Sequence, residues 1–374
     1  MKIKAAILHE IGAAPPYAST QPLKIETLDL DPPGEGEILV RIKAAGLCHS
    51  DLSVISGDRP RPTPMALGHE AAGIVVETGA GVHDLEEGDH VVLVFVPSCG
   101  ACVPCAEGRP ALCEPGAQSN LAGALLNGGR RLHLNGEEVH HHLGVSAFAD
   151  HAVVSRRSAI KIDKELPFVE AALFGCAVIT GAGAVFNTAR VKAGSSVAVI
   201  GLGGVGLNAL IAAHAAGARD IIAVDLRDDK LAFAKELGAT RVFNANLSDC
   251  AEEIRSATSG GVNYAFEMAG SLPALELAWT ITRRGGETVT AGLPHPDKRL
   301  SIAPVKLVGE ERTLKGSYLG SCVPLRDIPI YIALYRAGRL PVNKLMSGLA
   351  PLDEINAAFD RLAAGETVRQ IITF

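Results

Sequence analysis

Between Ser196 and Ala291 short apolar runs of strand character alternate with stretches of helical period, and this alternation limits the possible folds more than any other feature of the chain. Ser196–Ile200, Asp220–Asp225, Arg241–Asn244, Val262–Met268 and Glu287–Ala291 read as strands, and Val205–Ala216, Asp228–Leu237, Asp249–Thr258 and Leu272–Thr282 as helices. Strands joined through helices run parallel, so the expected product is a doubly wound sheet with helices on both faces. The most apolar window, Ser196–Ala218, approaches the length of a bilayer span. It holds five glycines and has His214 near its end, so a membrane helix is the poorer reading.

From Lys2 to about Asp163 the pattern differs. AAILHE, LKIETLDL, EILVRIKAAGL, AAGIVVETG, HVVLVF and HAVV are short β-rich runs bounded by Gly, Pro and Asp, the signature of a β-barrel or sandwich with long loops. Pro324–Ala337 and Leu352–Ala363 look helical and Thr367–Phe374 like a last strand, and this tail is expected to rejoin the first domain. At 374 residues the chain is too long for one ordinary core. With 48% apolar and 20% charged residues it can bury its cores, and its net charge of −6 with no Lys/Arg block argues against nucleic acid as a partner. The opening MKIKAAILHE is too short and polar for an export signal, so a cytoplasmic location is expected. There the eight cysteines would bind metal or act chemically rather than form disulfides.

Three cysteine-bearing stretches and one glycine-rich turn carry the chemistry. GLCHSDLSVISGDRPRPTPMALGHE, Gly46–Glu70, holds Cys48, Ser50, Asp51, His69 and Glu70 on either side of a Pro-rich run that no helix can cross. Cys and His are ligands of the kind Zn²⁺ takes; a buried Cys and a satisfied core His are the plainer alternative. CGACVPCAEGRPALC places Cys99, Cys102, Cys105 and Cys113 in the spacing C-x2-C-x2-C-x7-C, which closes a tetrahedral structural zinc site. A ferredoxin cluster would want three residues before the last Cys and a Pro after it, where Glu114 stands. Cys176 lies where the first pattern hands over to the second. With Cys48 and His69 it would make a Cys₂His set with one open position, which a catalytic zinc requires. Asp51 fits as the carboxylate that orients His69 and Glu70 as one behind the metal, with ordinary surface charges as the alternative for both.

GLGGVG, Gly201–Gly206 (Gly201, Leu202, Gly203, Gly204, Val205, Gly206), follows the SVAVI strand and precedes a helix, the context of a dinucleotide-binding turn. Its glycines allow the backbone to approach a pyrophosphate, and the helix N-terminus favours the charge. Asp225 stands about twenty residues on, where a carboxylate accepts from the adenosine ribose and repels a 2′-phosphate, selecting NAD over NADP. Lys230 is placed to reach the ribose, and Arg227 to soften that preference.

Taken together, GLCHSD, GHEAAGIVVETGAGV, CGACVPC, RLHLNGEEVHHHLGVSAF, GLGGVGL, VDLRDDK and AAGETVRQIITF resemble the zinc-dependent alcohol dehydrogenases of the medium-chain dehydrogenase/reductase superfamily. The likeness is to the liver-type, long-chain branch that includes class III enzymes, with Glu114–Gly144 similar to the insertion that sets this branch apart from shorter tetrameric enzymes. The resemblance implies a GroES-like β-barrel catalytic domain over residues 1–177, a Rossmann coenzyme domain over 178–319, and a return to the catalytic domain over 320–374. It implies a homodimer joined through the coenzyme domains, no membrane partner, and NAD with two Zn²⁺ per chain. It places catalytic zinc on Cys48, His69 and Cys176 and structural zinc on the four clustered cysteines. His49, Thr180 and Arg369 fall at coenzyme contacts; His49 and Arg369 otherwise read as solvated surface residues.

The reaction implied is reversible oxidation of an alcohol to an aldehyde or ketone, with Ser50 passing the proton outward. Many relatives continue that relay through a His three residues beyond, where Ser53 stands here. Glutathione-dependent formaldehyde dehydrogenases are expected to carry an Asp and an Arg where this chain has Arg59 and Ala117, so an ordinary alcohol is the expected substrate. A polyol dehydrogenase or a catalytically silent NAD- and zinc-binding protein are the other readings. By resemblance Phe95, His142, Leu143, Leu293 and Tyr318 line the pocket. The His140–His142 tract otherwise reads as a solvated loop, and Cys250 and Cys322 have no assigned role.

Overall fold

The computed structural model describes residues 1–374 and divides into two compact units. The first comprises Met1–Cys176, Val323–Pro329 and Asn343–Phe374, the second Ala177–Cys322 and Ile330–Val342.

In the first unit, strands Lys2–Leu8, Leu23–Leu30, Leu132–Leu134, Glu137–His141 and Met65–Ala66 close a barrel. Ile3, Ala5 and Ile7 alternate inward along the first of these with Leu28, Leu30, Leu132 and Val139 opposite, the period-2 burial a barrel core needs. Within Glu114–Gly144, helix Glu114–Ala122 is followed by the hairpin that supplies two of these strands. A seven-stranded sheet lies beside the barrel, with Glu37–Gly46 at its centre paired to Ala71–Thr78, His151–Ser155 and the final strand Arg369–Thr373. The last pairing, Ile371 opposite Gly46, brings the C-terminal tail to the stretch that carries Cys48.

In the second unit six strands form one parallel sheet in the spatial order Arg241–Asn244, Asp220–Asp225, Ser196–Ile200, Val262–Glu267, Thr282–Thr290, Thr313–Gly316. Order reverses at Ser196–Ile200, the topological switch point where open α/β sheets take their ligands. Ala198, Ile200, Ile222 and Val224 pack with Ile254, Val262, Ala278 and Ile281 from strands and helices alike. The apolar window is thus a strand and the buried helix Gly204–Ala215. No single helix is long and apolar enough to cross a membrane.

Two differences from the sequence reading go beyond a residue or two at an element's end. The fifth strand begins at Thr282, where the preceding helix stops, rather than at Glu287. Its opening Arg283–Gly285 is exposed, so no apolar alternation announces it. The return over 320–374 is not continuous, because Ile330–Val342 packs within the second unit. There Tyr331 meets the Phe186 ring at 5.8 Å and accepts a hydrogen bond from Asn187 at 3.2 Å, while Arg339 donates to the Ala215 carbonyl.

Candidate active site

Cys48 ends the extended run before the short helix His49–Ile55, His69 follows Gly68, and Cys176 sits between two helical segments with an isolated non-helical backbone. Gly68 has φ of +95°, and a Cβ there would press on the Phe148 backbone, so glycine is what lets the chain turn His69 inward. The two thiols and the imidazole come within 4.8 Å of one another, and all three side chains are buried.

His69 Nε2 is buried without a hydrogen-bond partner, while its Nδ1 faces Asp51 Oδ1 at 3.1 Å. A buried nitrogen left free beside two thiols, on a ring held from behind by a carboxylate, is the donor set of a tetrahedral metal with a vacant corner. The residues therefore fit zinc. Hydrogen bonding with Cys176 draws the Cys48 pKa well down, and the same contact with burial pushes that of Cys176 well up. Burial opposes charge on His69, yet Asp51 outweighs it and raises its pKa. Asp51 and Glu70 are fully buried, which removes their reading as surface charges. Burial lifts Glu70 to about 7, and its carboxylate faces Arg369 at 3.5 Å.

Cys99, Cys102, Cys105 and Cys113 also gather within 4.8 Å, none in a disulfide. Backbone N–H groups point at the sulfurs: Cys99 and Gly116 donate to Cys113, Ala101 and Cys102 to Cys99. Donors aimed at sulfur favour thiolate, and those at Cys99 hold it down at about 6. Four ligands leave no open corner, so this cluster fits a structural zinc.

At the switch point Gly201 has φ of +90°, and a Cβ on Gly206 would collide with the Gly201 carbonyl, so the strand can enter helix Gly204–Ala215 only through glycine. A Cβ on Gly203 would meet nothing, leaving the helix N-terminus open to an anion. Asp225 accepts from Leu202 N–H at 2.7 Å and Arg227 N–H at 3.1 Å.

Residues 34–164 match the alcohol dehydrogenase GroES-like domain and residues 204–336 the zinc-binding dehydrogenase domain. The chain is 37% identical over 376 residues to "Putative alcohol dehydrogenase D" of Mycobacterium tuberculosis, with both chains covered in full. This chain belongs to the zinc-dependent alcohol dehydrogenases of the medium-chain superfamily. Among solved structures, the dehydrogenase superposes with a TM-score of 0.94 on an alcohol dehydrogenase zinc-binding domain protein from Burkholderia ambifaria, 37% identical, covering 100% of this chain and 99% of that one. Benzyl alcohol dehydrogenase from Acinetobacter calcoaceticus gives 0.93 at 34% identity, with 100% and 99% covered.

Other positions of the dehydrogenase fall as follows. Ser50 Oγ lies 3.7 Å from Cys48 Sγ, and His49 is exposed. Phe95 meets the His69 ring edge-on at 5.3 Å, and Leu143 follows His142 with φ of +53°. Leu293 and Tyr318 lie in the second unit, both exposed, while Thr180 and Lys230 are half-buried there. Arg369 is no surface residue: its guanidinium is buried, donating to the Leu47 carbonyl at 3.0 Å beside Glu70. Nor is His140–His142 a solvated loop. His141 and His142 are each 1% exposed: Glu137–His141 is a barrel strand whose alternation turns Val139 and His141 inward, and His142, just past its end, donates its backbone N–H to Ser146 Oγ at 2.9 Å. Strand period was the signal available for His141; nothing in the sequence linked His142 to Asp51, or Arg369 to Glu70.

Proposed function

We propose that this dehydrogenase reversibly oxidises a primary or secondary alcohol to the aldehyde or ketone, with NAD⁺ as hydride acceptor and two zinc ions per chain. The observation that carries the reading is the convergence of Cys48, His69 and Cys176, three donors and so one short of a tetrahedral set. Zinc held there would supply Lewis acidity, lowering the pKa of an alcohol oxygen toward neutrality. Ser50, beside Cys48, takes the released proton and hands it to solvent; His49, exposed one residue away, is the nearest further acceptor along the chain.

Preference for NAD rests on Asp225, whose carboxylate ends the second strand of the sheet where an adenosine ribose would hydrogen-bond. Arg227, the cation best placed to welcome a 2′-phosphate, is tied to Asp229 through two hydrogen bonds. Gly201, Gly203 and Gly206 with the following helix would hold the pyrophosphate, with Thr180 and Lys230 as further contacts in the same unit.

Phe95 and Leu143 give an apolar lining suited to aliphatic or benzylic alcohols, and the likeness to a benzyl alcohol dehydrogenase favours the latter. Arg59 and Ala117 argue against glutathione adducts, and the Glu114–Gly144 insertion supports the long-chain branch. We further infer a homodimer through the coenzyme domain. Thr313–Gly316 is an outer strand of its sheet, and nearby Val305 and Val308 are 77% and 76% exposed.

The test is coenzyme reduction followed by absorbance over a panel of alcohols with NAD⁺ and NADP⁺ in parallel. Benzylic or aliphatic alcohols should reduce NAD⁺ well ahead of NADP⁺. A zinc-loaded protein that binds NADH yet reduces neither coenzyme with any alcohol would establish the silent alternative.

A further inference from the structure

We propose that His142 is a positioning residue for His69, acting through a hydrogen bond to the carboxylate the two imidazoles share, that of Asp51. The inference rests on reading His69 as a zinc ligand. If Nε2 faces the thiols and the metal, Nδ1 must carry the proton, which it gives to Asp51 Oδ1 at 3.1 Å. The Gly68 N–H reaches the same oxygen at 3.2 Å. Ring orientation is thus delegated to Asp51, and the orientation of Asp51 depends on what holds its remaining atoms.

His142 supplies the missing restraint. Its Nδ1 lies 3.1 Å from Asp51 Oδ1 but off the line of a hydrogen bond, and it has no other partner. Asp51 Oδ2 is likewise buried and unpartnered. A donor and an acceptor buried on adjoining groups, each left alone, are costly unless they pair, and the Asp51 carboxylate is the acceptor that the His142 ring faces. The backbone that carries the ring is fixed: His142 N–H donates to Ser146 Oγ at 2.9 Å. The His142 ring also meets His69 at a near-perpendicular 5.5 Å, as Phe95 does at 5.3 Å, so both rings pack on the imidazole.

Asp51, His69 and His142 also lie close enough to be considered as ligands of a second ion. Two N–H groups already directed at Asp51 Oδ1 make that oxygen a proton acceptor, so the trio is a hydrogen-bond network rather than a ligand set.

The test loads the protein with cobalt and compares wild type, His142→Phe and His142→Asn by thiolate-to-cobalt absorption and by the rate of metal transfer to a chelator, with Cys176→Ser marking the signal of the catalytic site. Phenylalanine keeps the ring packing without the hydrogen bond, whereas the asparagine amide places a donor where Nδ1 stands. His142→Phe should release that cobalt about tenfold faster with an altered spectrum, and His142→Asn should stay close to wild type. Equal release in all three, or equally fast release in both variants, would overturn the proposal, as would loss of an extra metal equivalent on His142→Phe. Should His142→Phe fail to fold, His142→Gln replaces it: fast release with Gln and slow with Asn supports the proposal, and equal release overturns it. No cobalt signal removable by Cys176→Ser would instead refute the zinc reading itself and the proposal with it.

Discussion

Glu70 and Arg369 face each other at 3.5 Å with both side chains buried, joining the segment behind His69 to the last strand of the chain. Breaking a buried pair by removing one partner costs about 3–5 kcal/mol, because the other charge is left uncompensated. Arg369→Leu is expected to lose stability near the lower end, since burial already holds Glu70 at about 7 and a proton can replace the cation. Denaturant unfolding should show this loss and its recovery in the double variant Glu70→Gln/Arg369→Met; no loss in the single variant would mean the pair is not holding the strand.

Cys105→Ser should remove one zinc equivalent and lower the thermal midpoint while leaving the metal signal of the Cys48–His69–Cys176 site intact. Burial pushes Cys105 up to about 12, so zinc must displace its proton, and affinity should fall as pH falls from about 8 to about 6. Metal analysis with chelator competition at the two pH values checks both statements.

Ser50→Ala should cut turnover tenfold or more, the lower range of general acid–base contributions, without weakening coenzyme binding. Steady-state rates and NADH titration separate the two effects. Unchanged turnover, with a deuterium isotope effect showing chemistry to be limiting, would remove Ser50 from proton transfer.

His141 sets a pH dependence of stability. It is fully buried, and its Nε2 accepts from the Arg131 N–H at 3.1 Å, which holds it neutral; burial lowers its pKa from 6.5 to about 3. Below 6.5 the unfolded chain takes up a proton that the folded ring refuses. The contribution is therefore complete above 6.5 and is lost progressively as pH falls toward about 3, at up to about 1.4 kcal/mol per pH unit. His141→Gln keeps an acceptor but cannot titrate, so its stability should fall less steeply between about pH 7 and about pH 5. Parallel curves for the two proteins would show that His141 is not the group responsible.

Elements whose cause is local were legible in the sequence. The helix Gly204–Ala215 begins where GLGGVG requires it, and the four cysteines of the structural site lie close enough along the chain for their spacing to imply a shared ion. The strand at Thr282 was hidden because its first residues are exposed and include glycines, leaving no alternation to read. Burial of His141 was available from strand period, but the polar tract His140–His142 pointed to solvent.

Residue order alone thus determined the alternating coenzyme fold, its glycine turn and the clustered thiols, since each follows from backbone preferences and short-range spacing. Tertiary structure decided the rest. Cys48, His69 and Cys176 converge, Arg369 reaches Glu70, and His142 comes beside Asp51 only once the sheets have paired. Those proximities are set by strand register and by burial across the whole first unit, quantities no local stretch of sequence encodes.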